Sequence, residues 1–265
     1  MRSCIAFAVL LGPATFALGA TASWESSVTK DPAGSFAELR PLRATYSFGW
    51  SGVTAATAEA HFAKPSDNRF QFDGNGRTVG LARALWRYDV NFRALTDANT
   101  LHPLETDQNE TIRSKKMANH LSFTNAGVNR ARTENGTPGK AKEFSFPNLF
   151  DLPSAMLYLR SQPLKDRASY RIVVYPTTSA YLATVTVTGR EKINVHAGNY
   201  NAIKMDLQLS KLDKNLDLQP HRKFRKATIW ISDDPDRLVL RIEAQIFLGT
   251  IFAELQTVKF ESAKP

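Results

Sequence analysis

Along most of the chain, apolar side chains return at every second position. Tyr46, Phe48 and Trp50 alternate with Thr45, Ser47, Gly49 and Ser51; Trp86, Tyr88, Val90 and Phe92 alternate with Arg87, Asp89, Asn91 and Arg93. Period two puts successive side chains on opposite faces of an extended strand, so each stretch predicts a strand with one wet and one dry face. In the second half, Val185 and Val187 stand against Thr184, Thr186 and Thr188, and Ile203, Met205, Leu207 and Leu209 against Lys204, Asp206 and Gln208. A last pair follows, with Leu238, Leu240, Ile242, Ala244 and Ile246 on one strand and Ile251, Ala253 and Leu255 on the next; Gly249 offers a tight connection between them.

Three stretches need other arguments. The alanine-rich run VTAATAEAHFA, 53–63, has helical propensity, but it follows a Trp-Ser-Gly turn and precedes Lys-Pro-Ser-Asp-Asn, which favours the second strand of a hairpin. In FDLPSAMLYLR, Asp151 can cap a helix, Pro153 suits its first turn and Pro163 lies just beyond its end. A shorter helix is expected over VGLARALW, 79–86. Together these predict a mainly β fold: a single curved antiparallel sheet or open barrel, with one or two short helices packed against it, in one domain over residues 40–262.

The N-terminus has a different character. Arg2, an apolar run from Ile5 to Leu18 and the small residues Ala20-Thr21-Ala22 read as a cleavable secretory signal peptide, residues 1–22. Residues 23–39 are polar and turn-rich and read as a flexible leader. No later stretch is long enough to span a bilayer as a helix, so no transmembrane segment is expected in the mature chain. Cys4 lies within the signal, leaving the mature chain without disulfides and its stability to the core, as suits a periplasmic protein. The formal charge is +9. For an exported protein this points to anionic lipid, lipopolysaccharide or acidic polysaccharide as partners rather than to nucleic acid.

No linear motif carries chemistry. The acidic knot SDDPDR, 232–237, has the residues of a strand-to-strand turn and lacks both the ligand spread and the central glycine of a calcium loop. GWSGV, 49–53, misses the spacing of a nucleophile elbow, and GNGRTVG, 74–80, misses that of a dinucleotide loop. The histidines His61, His102, His120, His196 and His221 show no metal-ligand spacing. No catalytic residue, metal or cofactor is expected. Two basic clusters, 113–116 and 221–226, read as solvated edges or as anion contacts. The candidate ligand contacts are the aromatics Trp50, Trp86, Tyr88 and Trp230, on a concave face, and Arg222, Lys223, Arg225 and Lys226, on a basic edge.

Three segments resemble the bacterial domain-of-unknown-function family 3108. They carry Gly189, Glu191, Gly198, Tyr200 and Lys204; Asp151, Ser154, Ala155, Tyr158, Leu159 and Arg160; and Trp230, Ser232, Asp233, Asp234, Gly249 and Leu255. One departure is Leu238-Val239, where the family pattern commonly has a proline before the valine. The resemblance implies an envelope protein of mainly β fold and brings no assigned activity. The first expectation is therefore a non-catalytic envelope protein that binds or carries an amphiphile, such as a lipid or lipid-linked glycan, on the concave face. The alternative is a scaffold with a filled core that contacts acidic polysaccharide, and a hydrolase comes third.

Overall fold

The computed structural model describes residues 23–34, 40–220, 224–246 and 249–261. The expected signal peptide and residues 35–39 of the leader lie outside the described residues.

The first half of the chain is a meander of β1 (Leu42–Trp50), β2 (Val53–Ser66), β3 (Arg69–Thr78), β4 (Tyr88–Asp97), β5 (Pro103–Ile112), β6 (Lys115–Thr124) and β7 (Gly127–Glu134). Two short strands, β8 (Thr137–Pro138) and β9 (Lys142–Ser145), both pair with β7. The second half contains β10 (Ser169–Val174), β11 (Ala180–Val195), β12 (Gly198–Leu212), β13 (Leu218–Pro220), β14 (Phe224–Ser232), β15 (Val239–Ile246) and β16 (Gly249–Phe260). Pairing of β16 with β1 joins the halves into one 16-stranded sheet in the order β10-β11-β12-β14-β15-β16-β1-β2-β3-β4-β5-β6-β7-β8. The alanine-rich β2 is a strand because it pairs on both sides, with β1 and β3.

The sheet is rolled. Leu121 and Val128, near one end of the strand order, share a buried cluster with Val173, Leu182 and Leu212 from the other end. A parallel bridge between Phe150 and Val174 reinforces the closure. Two further clusters lie in the interior. One gathers Ile172, Val185, Ile203, Met205, Ile229 and Ile231; the other gathers Leu42, Phe62, Phe70, Leu240 and Leu255.

Helix α1 (Gly80–Leu85) sits between β3 and β4, and α2 (Leu152–Ser161) between β9 and β10. Helix α2 gives Ala155, Tyr158 and Leu159 to one interior cluster and Leu157 to the other, so it lies between the walls as a plug. Its start is the predicted cap in full: Asp151 Oδ1 accepts the Ser154 N–H at 2.8 Å, and Ser154 Oγ accepts the Asp151 N–H at 3.0 Å. Thr106 on β5 donates to the other Asp151 oxygen at 2.5 Å, fastening the helix to the wall. At the helix's far end, Arg160 Nη2 donates to the Asp236 carbonyl, and Arg237 Nη1 to the Gln162 carbonyl at 2.8 Å. The acidic knot is therefore the turn between β14 and β15 and the dock for α2.

Two details differ from the sequence reading. The strand expected from Trp86 begins at Tyr88, because Trp86 ends α1, its N–H bonded to the Ala82 carbonyl at 2.8 Å. The segment read as a flexible leader makes specific contacts over its described part. Trp24 stacks on Phe146 at 5.5 Å, the Asp31 carbonyl accepts from Tyr158, and Thr29 exchanges two hydrogen bonds with Arg171 along the β10 edge.

Candidate functional site

The turns at the two ends of the rolled sheet are chemically different. At the end with the acidic turn, α2 fills the opening. At the other end stand the β1–β2 turn, α1, and the β5–β6 turn at Arg113. Here apolar side chains are open to solvent. Leu81, Val53, Leu85, Trp50 and Trp86 are 77%, 69%, 70%, 52% and 50% exposed, joined by Ile251 and Phe48. Strand register places Val53 and Ile251 directly opposite Trp50 on its two neighbours. Leu81 and Leu85 are four residues apart, hence on one side of the helix. A hydrogen bond from the Val79 N–H to the Ala55 carbonyl, 2.9 Å, fixes α1 against the start of β2.

Each part of this rim is held in place. Arg83 on α1 forms a forked pair with Asp89 on β4, at 2.8 and 3.2 Å, which turns Leu81 and Leu85 away from the sheet. Gly249 has a φ of +107°, and a side chain there would meet Trp50 Nε1 at 3.0 Å. The glycine thus permits both the β15–β16 connection and the position of the indole. Arg113 lies over the Trp86 ring at 5.2 Å, and its N–H donates to the Arg87 carbonyl at 2.8 Å. Arg87, Arg113, Lys115 and Lys116 are all exposed at this end; Arg87 pairs with Asp89 at 3.3 Å and Lys115 with Glu134 at 2.7 Å, and Arg113 and Lys116 add positive charge to the border of the apolar patch.

The candidate aromatics separate into two environments. Trp50 and Trp86 belong to the exposed rim. Tyr88, just inside it, donates its hydroxyl to Glu110 at 2.8 Å, and burial followed by that bond raises its pKa well above the ordinary tyrosine value. Glu110 in turn accepts from Gln108 at 2.6 Å and Gln108 from Thr177 at 2.7 Å, a polar chain linking β4 and β5 to the segment after β10. Trp230 is 8% exposed, its indole N–H bonded to Glu191 at 2.7 Å with Lys204 above the ring, and it serves the core. Lys226 pairs with Asp206 at 2.7 Å. Arg222, Lys223 and the side chain of Arg225 lie outside the described residues.

The acidic turn has its charges occupied. Asp234 accepts from Ser232 Oγ and from the Asp236 and Arg237 N–H groups, Asp233 pairs with Arg190 at 2.9 Å, and Asp236 takes a forked pair from Arg40 at 2.9 and 2.6 Å. Beside it, burial pushes the Arg160 guanidinium down to about 10 and the Tyr46 hydroxyl up to about 12. One grouping that spacing could not reveal is Glu105, Asp107 and His120, whose ligand atoms lie within 4.8 Å of one another across β5 and β6. His120 Nδ1 already meets Asp107 at 2.8 Å and Nε2 meets Ser122 at 3.1 Å, with all three main members open to solvent. This is the geometry of an exposed cross-strand pair.

A rolled antiparallel sheet plugged by one helix, with an apolar rim at its open end, defines a barrel-like protein. Among solved structures, a beta-barrel-like protein of the domain of unknown function DUF1849 from Brucella abortus has a TM-score of 0.61 at 9% identity, over 85% of this chain and 100% of that one. A DUF1089 family protein from Pseudomonas aeruginosa gives 0.37 at 14% identity, over 72% and 90%. A Bacteroides fragilis protein with a YmcC-like fold gives 0.33 at 8% identity, over 84% and 98%. The Brucella likeness is one of fold. The chain belongs to the family described as protein of unknown function DUF3108, whose profile matches residues 43–256. No functionally curated protein matches it. Among the described residues, no helix is long and apolar enough to cross a membrane.

Proposed function

We propose that the protein is an exported, non-catalytic component of the cell envelope that binds an amphiphile, anionic membrane lipid, through the rim formed by Trp50, Val53, Leu81, Leu85, Trp86 and Ile251. The supporting observation is the exposure of these side chains together at one end, beside Arg87, Arg113, Lys115 and Lys116. Contiguous exposed apolar surface marks a contact site. Tryptophan prefers the headgroup level of a bilayer, and each basic residue near an anionic surface contributes about 1 kcal/mol. Burying Leu81 or Leu85 from such exposure contributes about 1.5 kcal/mol or more. The clusters around α2 occupy the opposite end of the barrel, so the exposed apolar surface lies at the rim.

Co-sedimentation with phosphatidylglycerol-containing vesicles tests this. Binding is expected to require the anionic lipid, to weaken with added salt, and to fall about tenfold or more in Leu81→Ala/Leu85→Ala. Absence of binding, or equal binding by that variant, contradicts the reading.

A further inference from the structure

The face of the sheet turned away from the core holds an arrangement that the rim does not use. Strand register puts Asn75 on β3 directly opposite Asn91 on β4, and Asn91 directly opposite Asn109 on β5. The same row continues through Glu59 on β2, Thr45 on β1 and Thr257 on β16. Neighbouring strands are about 4.8 Å apart, so the row is a regular line of polar groups across six strands. A second row beside it runs Lys259, Arg43, His61, Asp73, Arg93 and Asp107, again opposite one another.

These rows line an open trough of about 670 Å3. The long side chains of Arg43, Arg93 and Lys259 wall a floor of Thr and Asn, with Gly74 of β3 also in the lining. The floor is open for hydrogen bonding. Among the described residues, the exposed amides of Asn91 and Asn109 have no side-chain hydrogen bond, and Asn75 makes only a long one, 3.3 Å, to Glu59. Each amide offers two donors and an acceptor.

The charges decide which ligand suits it. Arg43 is paired with Glu261 at 2.7 Å, Arg93 lies 3.9 Å from Asp73, and Glu59 and Asp107 add further negative groups. Three cations, Arg43, Arg93 and Lys259, and three carboxylates, Glu59, Asp73 and Asp107, line it, so the trough has no field of one sign to attract an acidic polymer. We propose that it is a second binding site, for a neutral polyhydroxylated glycan, with Asn75, Asn91 and Asn109 as the hydrogen-bonding floor. Hydroxyl groups both donate and accept, and so match a row of amides flanked by carboxylates and guanidinium groups. This site is separate from the apolar rim and stands whether or not the rim meets lipid.

Native electrophoresis in gels cast with soluble neutral glucans (dextran, pullulan and hydroxyethylcellulose), with alginate as the acidic comparison, tests the proposal. The protein is expected to be retarded by at least one neutral glucan, with retardation kept in high salt. Asn75→Ala/Asn91→Ala/Asn109→Ala should bind about tenfold more weakly with unchanged thermal stability, while Leu81→Ala/Leu85→Ala should be retarded like the parent. The exposed single variants Asn91→Ala and Asn109→Ala give the same reading if the triple variant is unstable. Retardation by alginate alone, by none of the glucans, or equally in the asparagine variants overturns it.

Discussion

Asp151 is wholly buried, yet it caps α2 and accepts from Thr106. Burial raises its pKa, against the hydrogen bonds from Ser154 and Thr106, which act to lower it. The folded chain therefore keeps a proton at pH values where the unfolded chain has lost it. Stability from this group is full below the unfolded value, about 3.9, and is lost as pH rises through the raised folded value. An asparagine in its place would cap equally well without a charge to bury. Urea unfolding is thus expected to find Asp151→Asn at least as stable as the parent at neutral pH, with the difference shrinking towards pH 4. Asp151→Ala should be less stable by about 1–3 kcal/mol, from the lost cap and the stranded Ser154 and Thr106 donors.

Among the elements, α2 could be read from the sequence because capping is local: Asp151, Pro153 and Pro163 carry its boundaries within a few residues. The strand pairs at 185–209 and 238–255 were readable for the same reason, their alternation reporting a one-sided surface. Trp86 misled because the alternation runs unbroken into Tyr88 from a residue that closes a helix; the turn is made by Thr78, whose Oγ donates to the Trp86 carbonyl at 3.0 Å and accepts the Tyr88 N–H at 3.1 Å. The contacts of residues 23–34 had no local signal at all. Trp24 donates to the Leu216 carbonyl at 3.0 Å across 192 positions of sequence, and polarity alone suggests solvent. That segment also covers the β10 edge, a strand otherwise open to wrong pairing. Trp24→Ala should therefore lower stability by about 1–2 kcal/mol in urea unfolding, through loss of its stacking on Phe146 and of its buried area.

Across the whole molecule, the barrel's ends and faces are assigned different chemistry. One end is sealed by α2 and the acidic turn, the other carries an apolar rim, and the outer wall carries polar rows. The sequence separated inner from outer faces, because period two does so within each strand. It could not say which strands share an end, because that depends on register between residues far apart. Trp50 and Trp86 were legible as candidates only as aromatics on strands. Their exposure comes from the hairpin at Gly249 and the forked Arg83–Asp89 pair. The most direct test of the lipid contact proposed for the rim is quenching of tryptophan fluorescence by brominated lipids in phosphatidylglycerol vesicles. Strong quenching is expected for the parent, and little for Trp50→Phe/Trp86→Phe, whose remaining Trp24 and Trp230 are packed on Phe146 and within the core. No quenching of the parent, or undiminished quenching in that variant, would contradict the account.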